Sequence, residues 1–193
     1  MRSKFDQQLA ALNQELTEMG ATCAQAIGLA AQALEQQDVA LAAPVGQLEE
    51  QTNEQERTIE ALCLKLLLQQ QPVARDLRQI SAALKMITDM ERIGDQAEDI
   101  AEIVAFLDGR QAENDALLKE MAKAVIQMVT ESVDAYVKCD IMLAKKVIAA
   151  DDVVDEQFAR VKQSLIGKIA ADPADGEYAL DLLMIAKYYE RIG

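Results

Sequence analysis

Apolar residues recur at three- and four-residue steps along most of the chain, the spacing of helices that turn one face to a core. Phe5, Leu9, Leu12, Leu16, Met19, Cys23, Ile27 and Leu34 carry the first stretch, with Ser3 as its expected N-cap. The pattern loosens over residues 36–46, where Asp38 can cap a short segment and Pro44 can open the next helix. That helix is expected over about residues 44–69, ended by Gln69-Gln70-Gln71-Pro72, and a third over about residues 73–107. Asp108-Gly109-Arg110 is the clearest turn signal. The plan then repeats, with helices over about residues 113–139 and 141–170, a break at residues 172–176, and a last helix running to Gly193.

The repetition is also written in residues. The segment ITDMERIG at residues 87–94 returns as AKYYERIG at residues 186–193, so Glu190 lies 99 residues after Glu91. Leu84, Ile87 and Gly94 stand at −7, −4 and +3 from Glu91, and Leu183, Ala186 and Gly193 stand likewise about Glu190. On a helix those positions share one face with the acid, and they are expected to be largely buried. The middle helices align as well, with Asn53-Glu54-Gln55 matching Asp155-Glu156-Gln157 at an offset of 102. These offsets describe an internal duplication. The expected fold is all-α: two tandem antiparallel three-helix bundles, residues 1–108 and 109–193. No counterpart of Asp95-Gln96-Ala97-Glu98-Asp99-Ile100-Ala101-Glu102 follows Gly193 and no C-cap closes the last helix, so the second repeat is expected to be truncated.

Composition narrows the chemistry. The chain is 51% hydrophobic, with 4% aromatic residues, no Trp, 8 Gly and 3 Pro, which suits long helices. A net charge of −14 argues against nucleic acid as a partner. Histidine is absent, which excludes a Ser-His-Asp triad, a phosphorelay histidine, a typical zinc site and di-iron bundles built on Glu-x-x-His. Any metal must be held by oxygen or by Cys23, Cys63 and Cys139. Those three are widely spaced and sit in apolar patterns, so they are read as small buried hydrophobes in a reducing compartment. There is no signal-type N-terminus and no run of 18 apolar residues, so a cytoplasmic protein is expected.

The distinctive chemistry is acidic. Glu91, Asp95, Glu98 and Glu102 form one helical stripe, and Glu91 and Asp95, one turn apart, can grip the same cation. Asp151, Asp152, Asp155 and Glu156 in the second middle helix, and Glu49, Glu50, Asn53 and Glu54 in the first, can complete a site between two helices. The candidate metal ligands are therefore Glu91, Asp95, Glu190, Asp151, Asp155, Glu50 and Glu54. A solvated acidic face explains Asp151–Glu156 equally simply, since helix starts favour acids. Glu91 is open to two readings, a metal ligand or a partner of Arg or Lys from another helix.

QPVARDLRQISAALKMITDMERIGD at residues 71–95, followed by the second ERIG, closely resembles the PhoU family of phosphate-signalling proteins. The resemblance spans the whole chain. It implies two three-helix bundles, multinuclear metal clusters on the acidic motifs (iron in some members) and, in many members, a homodimer. It further implies a non-enzymatic negative regulator of phosphate uptake and of the phosphate-starvation response. Its partners would be the ATPase of the phosphate ABC transporter and a membrane sensor histidine kinase, with only peripheral contact with membrane complexes. By position, Glu91 and Asp95 match the first family motif and Glu190 opens the second. Gln96 stands where a His commonly follows, and the Asp expected after Gly193 is missing. The alternatives are a metal-dependent hydrolase using the carboxylate clusters, or a purely structural helical bundle.

Overall fold

The computed structural model describes the backbone of residues 2–70, 73–107 and 115–193. Among them there is no strand. The helices are α1 (Arg2–Gln36), the single turn α2 (Val39–Ala42), α3 (Val45–Gln70), α4 (Ala74–Phe106), α5 (Asp115–Lys138), α6 (Ile141–Ala171) and α7 (Gly176–Ile192). A 3₁₀ turn, Pro173–Asp175, leads into α7. Helix α1 already includes Ser3, which is therefore a helical residue and not a cap. The expected junction at residues 108–111 and the break at residues 71 and 72 lie outside the described residues.

The two helical turns that begin the middle helices have the same construction. Gln37 has φ 53° and Cys139 has φ 51°, left-handed residues that stop α1 and α5. Next comes an Asp whose N–H donates back, Asp38 to Ala33 at 3.1 Å and Asp140 to Ala135 at 2.8 Å. Each Asp then caps the new helix. Asp38 accepts from the Ala40 N–H, and Asp140 from those of Met142 and Leu143. In the first repeat Pro44 interrupts the chain after one turn, which separates α2 from α3. In the second, Lys146 occupies that offset and α6 runs unbroken. This placement corrects one expectation: Cys139 is exposed at its turn, while Cys23 and Cys63 are buried.

Helices α1, α3 and α4 form one antiparallel bundle, and α5, α6 and α7 the other. They join along α1 and α5, which run antiparallel, and again where α4 meets α7. A Cβ added at Gly20 would lie 2.9 Å from Val133 Cγ2 and one at Gly28 would lie 4.0 Å from Ile126 Cδ1. Farther along the same seam Lys119 pairs with Glu35. Burial repeats at the offset read from the sequence. Leu16, Met19, Cys23 and Ile27 match Leu118, Met121, Val125 and Val129, and Thr52, Ile59 and Cys63 match Val154, Val161 and Leu165; every one is buried. Burial pushes the thiols up, Cys23 to about 12 and Cys63 to about 11, so both are neutral packing groups.

The stripe about each ERIG is narrower than expected. Ile87 and Ala186 are buried at 2% and 0% exposure, but Leu84 and Leu183 are only half-buried at its edge. Both leucines stand seven residues before the acid, about 20° short of two helical turns, which puts them beside the acid and about 60° around the helix from Ile87 or Ala186. Ile87→Ala should therefore cost about 2–5 kcal/mol, and Leu84→Ala about 1 kcal/mol. Denaturant midpoints measure both, and equal losses would contradict this ordering.

Candidate functional site

Helices α3 and α4 come into tight contact at the first ERIG. Gly94 is buried against Thr52, and a Cβ added there would stand 2.4 Å from Thr52 Oγ1. Thr52 is itself fully buried and its hydroxyl donates to the Glu49 carbonyl at 2.7 Å. No larger residue fits at 94 unless the Thr52 side chain or one of the helices shifts. The contact brings the acidic faces of α3 and α4 together.

On α3 these residues are Glu49, Asn53 and Glu56, at −3, +1 and +4 from Thr52. On α4 they are Glu91, Asp95 and Glu98. Asn53 Nδ2 donates to Glu49 Oε1, and Thr88 Oγ1 donates to Glu56 Oε1 at 3.3 Å. The Glu98 carboxylate lies over the first turn of α3, where a Cβ added at Gly46 would be 2.9 Å from its Oε1. Glu91 is half-buried, and its pKa is raised first by burial and then by Asp95, Glu56 and Glu49, with Arg92 opposing. Glu98 is raised by burial, then by Glu49, Glu102, Asp95 and Asp99. The fold thus holds several like charges together at partial desolvation.

The structure places the predicted ligands unevenly. Glu91 and Asp95 share the interhelical face. Glu50 and Glu54 are exposed, and each is two residues from Thr52, about 200° around the helix. Glu49 and Glu56 stand in their place as the α3 acids nearest Glu91. Helical angles counted from the buried Thr52 single them out, but a threonine carries no apolar signal that marks its position as core.

In the second bundle Gly193 meets Val154, the counterpart of Thr52, with an added Cβ at 3.5 Å. Asp151 and Asp155 are exposed on α6. Glu190 is ion-paired with Lys187 of its own helix. Lys187 Nζ also lies 5.3 Å above the Phe158 ring, and Phe158 occupies the position of Glu56. This half therefore has a local cation for its acid, with Asp151 and Asp155 at the positions of Glu49 and Asn53. Glu190 is thus paired within its own helix, which is not the pairing with another helix considered for Glu91.

Carboxylates, an amide and a hydroxyl make a hard-oxygen donor set, which suits Mg²⁺, Ca²⁺, Mn²⁺ or ferric iron. A bound cation would also relieve the repulsion that raises Glu91 and Glu98. As the side chains stand, no three acidic or thiol groups among the described residues gather on one point. The chemistry of the first-repeat face fits a cation, and binding would require its carboxylates to swing inward.

Family comparison gives the class. The PhoU domain model matches residues 16–104 and 118–193, the two bundles in turn, and the chain belongs to the PhoU domain family. It is similar to the phosphate-specific transport system accessory protein PhoU homolog of Aquifex aeolicus, 34% identical over 193 residues, covering 97% of this chain and 86% of that protein. The homolog of the same name from Clostridium acetobutylicum is 34% identical, covering all of this chain and 89% of its own. The crystal structure of PhoU from Pseudomonas aeruginosa superposes with a TM-score of 0.93 at 30% identity, covering 97% of this chain and 91% of that one. The phosphate transport system regulatory protein PhoU from Streptococcus pneumoniae gives 0.89 at 25% identity, covering 97% and 89%. Among the described residues no helix is long and apolar enough to cross a membrane.

Two predictions follow from this geometry. Gly94→Ala should destabilise by about 1–3 kcal/mol through overpacking. Thr52→Ala removes the hydroxyl that the new methyl would strike, so the double variant should lose less than the sum of the singles; strict additivity in chemical denaturation would refute the contact. The second concerns pH. Glu91 and Glu98 have folded pKa values above their unfolded ones, so the folded state holds protons more tightly. Stability therefore falls as pH rises from the ordinary carboxylate range through the raised values. Glu91→Gln with Glu98→Gln should flatten that fall and, in chelator, raise Tm at neutral pH. At about pH 3, where the wild-type acids are protonated, the difference should vanish.

Proposed function

We propose that this chain is a non-enzymatic regulatory adaptor of a phosphate-specific transport system, holding down phosphate uptake and the starvation response when phosphate is plentiful. The observation that carries this reading is similarity across both bundles, over nearly the full chain, to accessory proteins of that system. In this reading it acts in the cytoplasm as a homodimer and links the transporter ATPase to a sensor histidine kinase. Two rigid bundles on one seam offer separate faces for two such partners.

The acidic face of the first bundle is, in this proposal, the cation site. Glu91, Asp95 and Glu98 from α4, with Glu49, Asn53 and Glu56 from α3, would hold a divalent or trivalent ion, iron by family resemblance. When bound, the ion supplies charge neutralisation and cross-links α3 to α4. The protein's part is positional: Thr52 and Gly94 set the helix spacing, and Thr88 and Asn53 orient Glu56 and Glu49. The second face, with Glu190 held by Lys187, would bind a cation more weakly.

The function is tested by expressing the chain in a bacterium deleted for its own PhoU-type regulator. In phosphate-replete medium it should restore repression of a starvation reporter, and it should co-purify with the transporter ATPase. Loss of both would overturn the adaptor reading, and phosphoester turnover by the purified protein would replace it with a hydrolase. For the ion, elemental analysis after iron loading and desalting compares wild type with Glu91→Gln/Asp95→Asn. The variant should retain less than half the metal, and equal contents would reject both residues as ligands.

A further inference from the structure

Besides the α1–α5 seam, the bundles meet where α7 packs on α4, and two points fix how the helices lie. At one, the Tyr188 hydroxyl hydrogen-bonds to Asp99, with Glu102 also near it. At the other, Phe106 at the end of α4 shares a cavity of about 560 Å³ with Glu177 and Asp181 at the start of α7. The two helices therefore run antiparallel over residues 99–106 and 177–188. The longer of these stretches is ~16 Å, about three helical turns.

Apolar side chains lie open along this junction. Phe106 is 73% exposed, Leu180 55% and Met184 44%, while Ile103 and Tyr188 are half-buried. Met184 stands four residues before Tyr188 and three after Asp181, so it shares the face that meets α4, and Leu180 lies one turn before it. Together they make a shallow apolar strip. It belongs to the end of α4 and the first half of α7, at the other end of that helix from Gly193.

The duplication shows that the fold does not demand these residues. At an offset of 99, Glu177, Leu180 and Met184 correspond to Arg78, Ser81 and Lys85 of α4. Those three are exposed, as their counterparts are, and all three are polar. Serine and lysine suffice where a helix meets only water. Leucine and methionine at the same positions add little to the core, and exposed apolar groups gathered on one strip mark an interaction site.

Charge identifies the occupant. The rim carries Asp99 and Glu102 of α4 with Glu177 and Asp181 of α7, and Arg191 bounds it at the Tyr188 end. Asp181 is half-buried, and its pKa is raised by burial and then by Glu177, so these two acids stand close. An acidic rim repels an anionic membrane surface and attracts a basic protein segment. We infer that the α4–α7 junction is a docking surface for a basic amphipathic helix of a partner protein. The helix lays apolar residues at i, i+3, i+4 and i+7 on Phe106, Leu180 and Met184, and turns lysine or arginine toward Glu102, Glu177 and Asp181. Because α4 belongs to one bundle and α7 to the other, the occupant touches both.

The test uses the whole chain and a capped, fluorescent peptide of about four helical turns, with leucine at i, i+3, i+4 and i+7 and lysine elsewhere. Anisotropy should report saturable binding, lost when the order is scrambled or when glutamate replaces lysine. Leu180→Ser with Met184→Gln should weaken binding by about tenfold or more. Glu177→Arg, which installs the first repeat's residue, should weaken it and reduce its salt dependence. Glu18→Arg, the same change of charge on an exposed position of α1, should leave it unaltered. Unchanged melting temperatures will show that the variants fold. A scrambled peptide binding equally well, equal losses from Glu177→Arg and Glu18→Arg, or an affinity untouched by Leu180→Ser/Met184→Gln would overturn the inference. So would a dimer in sedimentation that Leu180→Ser/Met184→Gln dissolves, because the strip would then belong to a second copy.

Discussion

The meeting of Gly94 with Thr52 sets how near α3 and α4 lie, and the chemistry of the first bundle depends on that distance. A missing side chain on one helix receives a hydroxyl from the other. At this contact carboxylates from the two helices share one strip of surface. The charges there are mutually unfavourable and partly desolvated, which raises Glu91 and Glu98. Packing supplies the stability that keeps them together. The core beneath is continuous from α1 through α3 and α4, so the strain at the surface is carried by apolar burial below it.

The second bundle shows the same architecture with a different arrangement of charge: Asp151 and Asp155 stand at the positions of Glu49 and Asn53, but three other positions change. Val154 replaces Thr52, Phe158 replaces Glu56, and Lys187 stands where Thr88 stands in the first repeat. Each change trades a polar or anionic group for an apolar or cationic one. Glu190 consequently has a counter-charge within three residues, and the lysine is further held over an aromatic ring. Duplication preserved the helix register while the residues around the two ERIG acids differ.

The seam between α1 and α5 joins these unlike halves. It is built from small residues where the helices come close, Gly20 against Val133 among them, and from aliphatic side chains elsewhere. Such a seam is apolar and carries few specific polar contacts. It holds the bundles as one body, yet leaves the outer faces of α3, α4 and α6 free to evolve separately. The left-handed turns at Gln37 and Cys139 complete the frame, because each reverses the chain within two residues and caps the following helix at once.

Much of this was legible in the chain. Apolar periodicity located the long helices to within a few residues, because a buried stripe is a local pattern that one helix displays by itself. The two ERIG segments and the 102-residue offset of the middle helices disclosed the duplication, and the family resemblance named its class. The acidic stripe on α4 was also visible, since Glu91, Asp95 and Glu98 lie on one element. What tertiary structure alone decided was the partner side of each contact. Glu49 and Glu56, not Glu50 and Glu54, face α4 because the angle of α3 is set by Thr52 docking on Gly94, a fact about two helices. Cys139 is exposed because it lies in the turn between α5 and α6, outside both helical stripes, which the apolar periodicity did not reveal. Leu84 and Leu183 sit at the edge of the core because neighbouring helices cover a narrower strip than the apolar pattern spans. Sequence specifies which face of a helix avoids water; only the packed structure determines which other helix meets it, and how much is left uncovered.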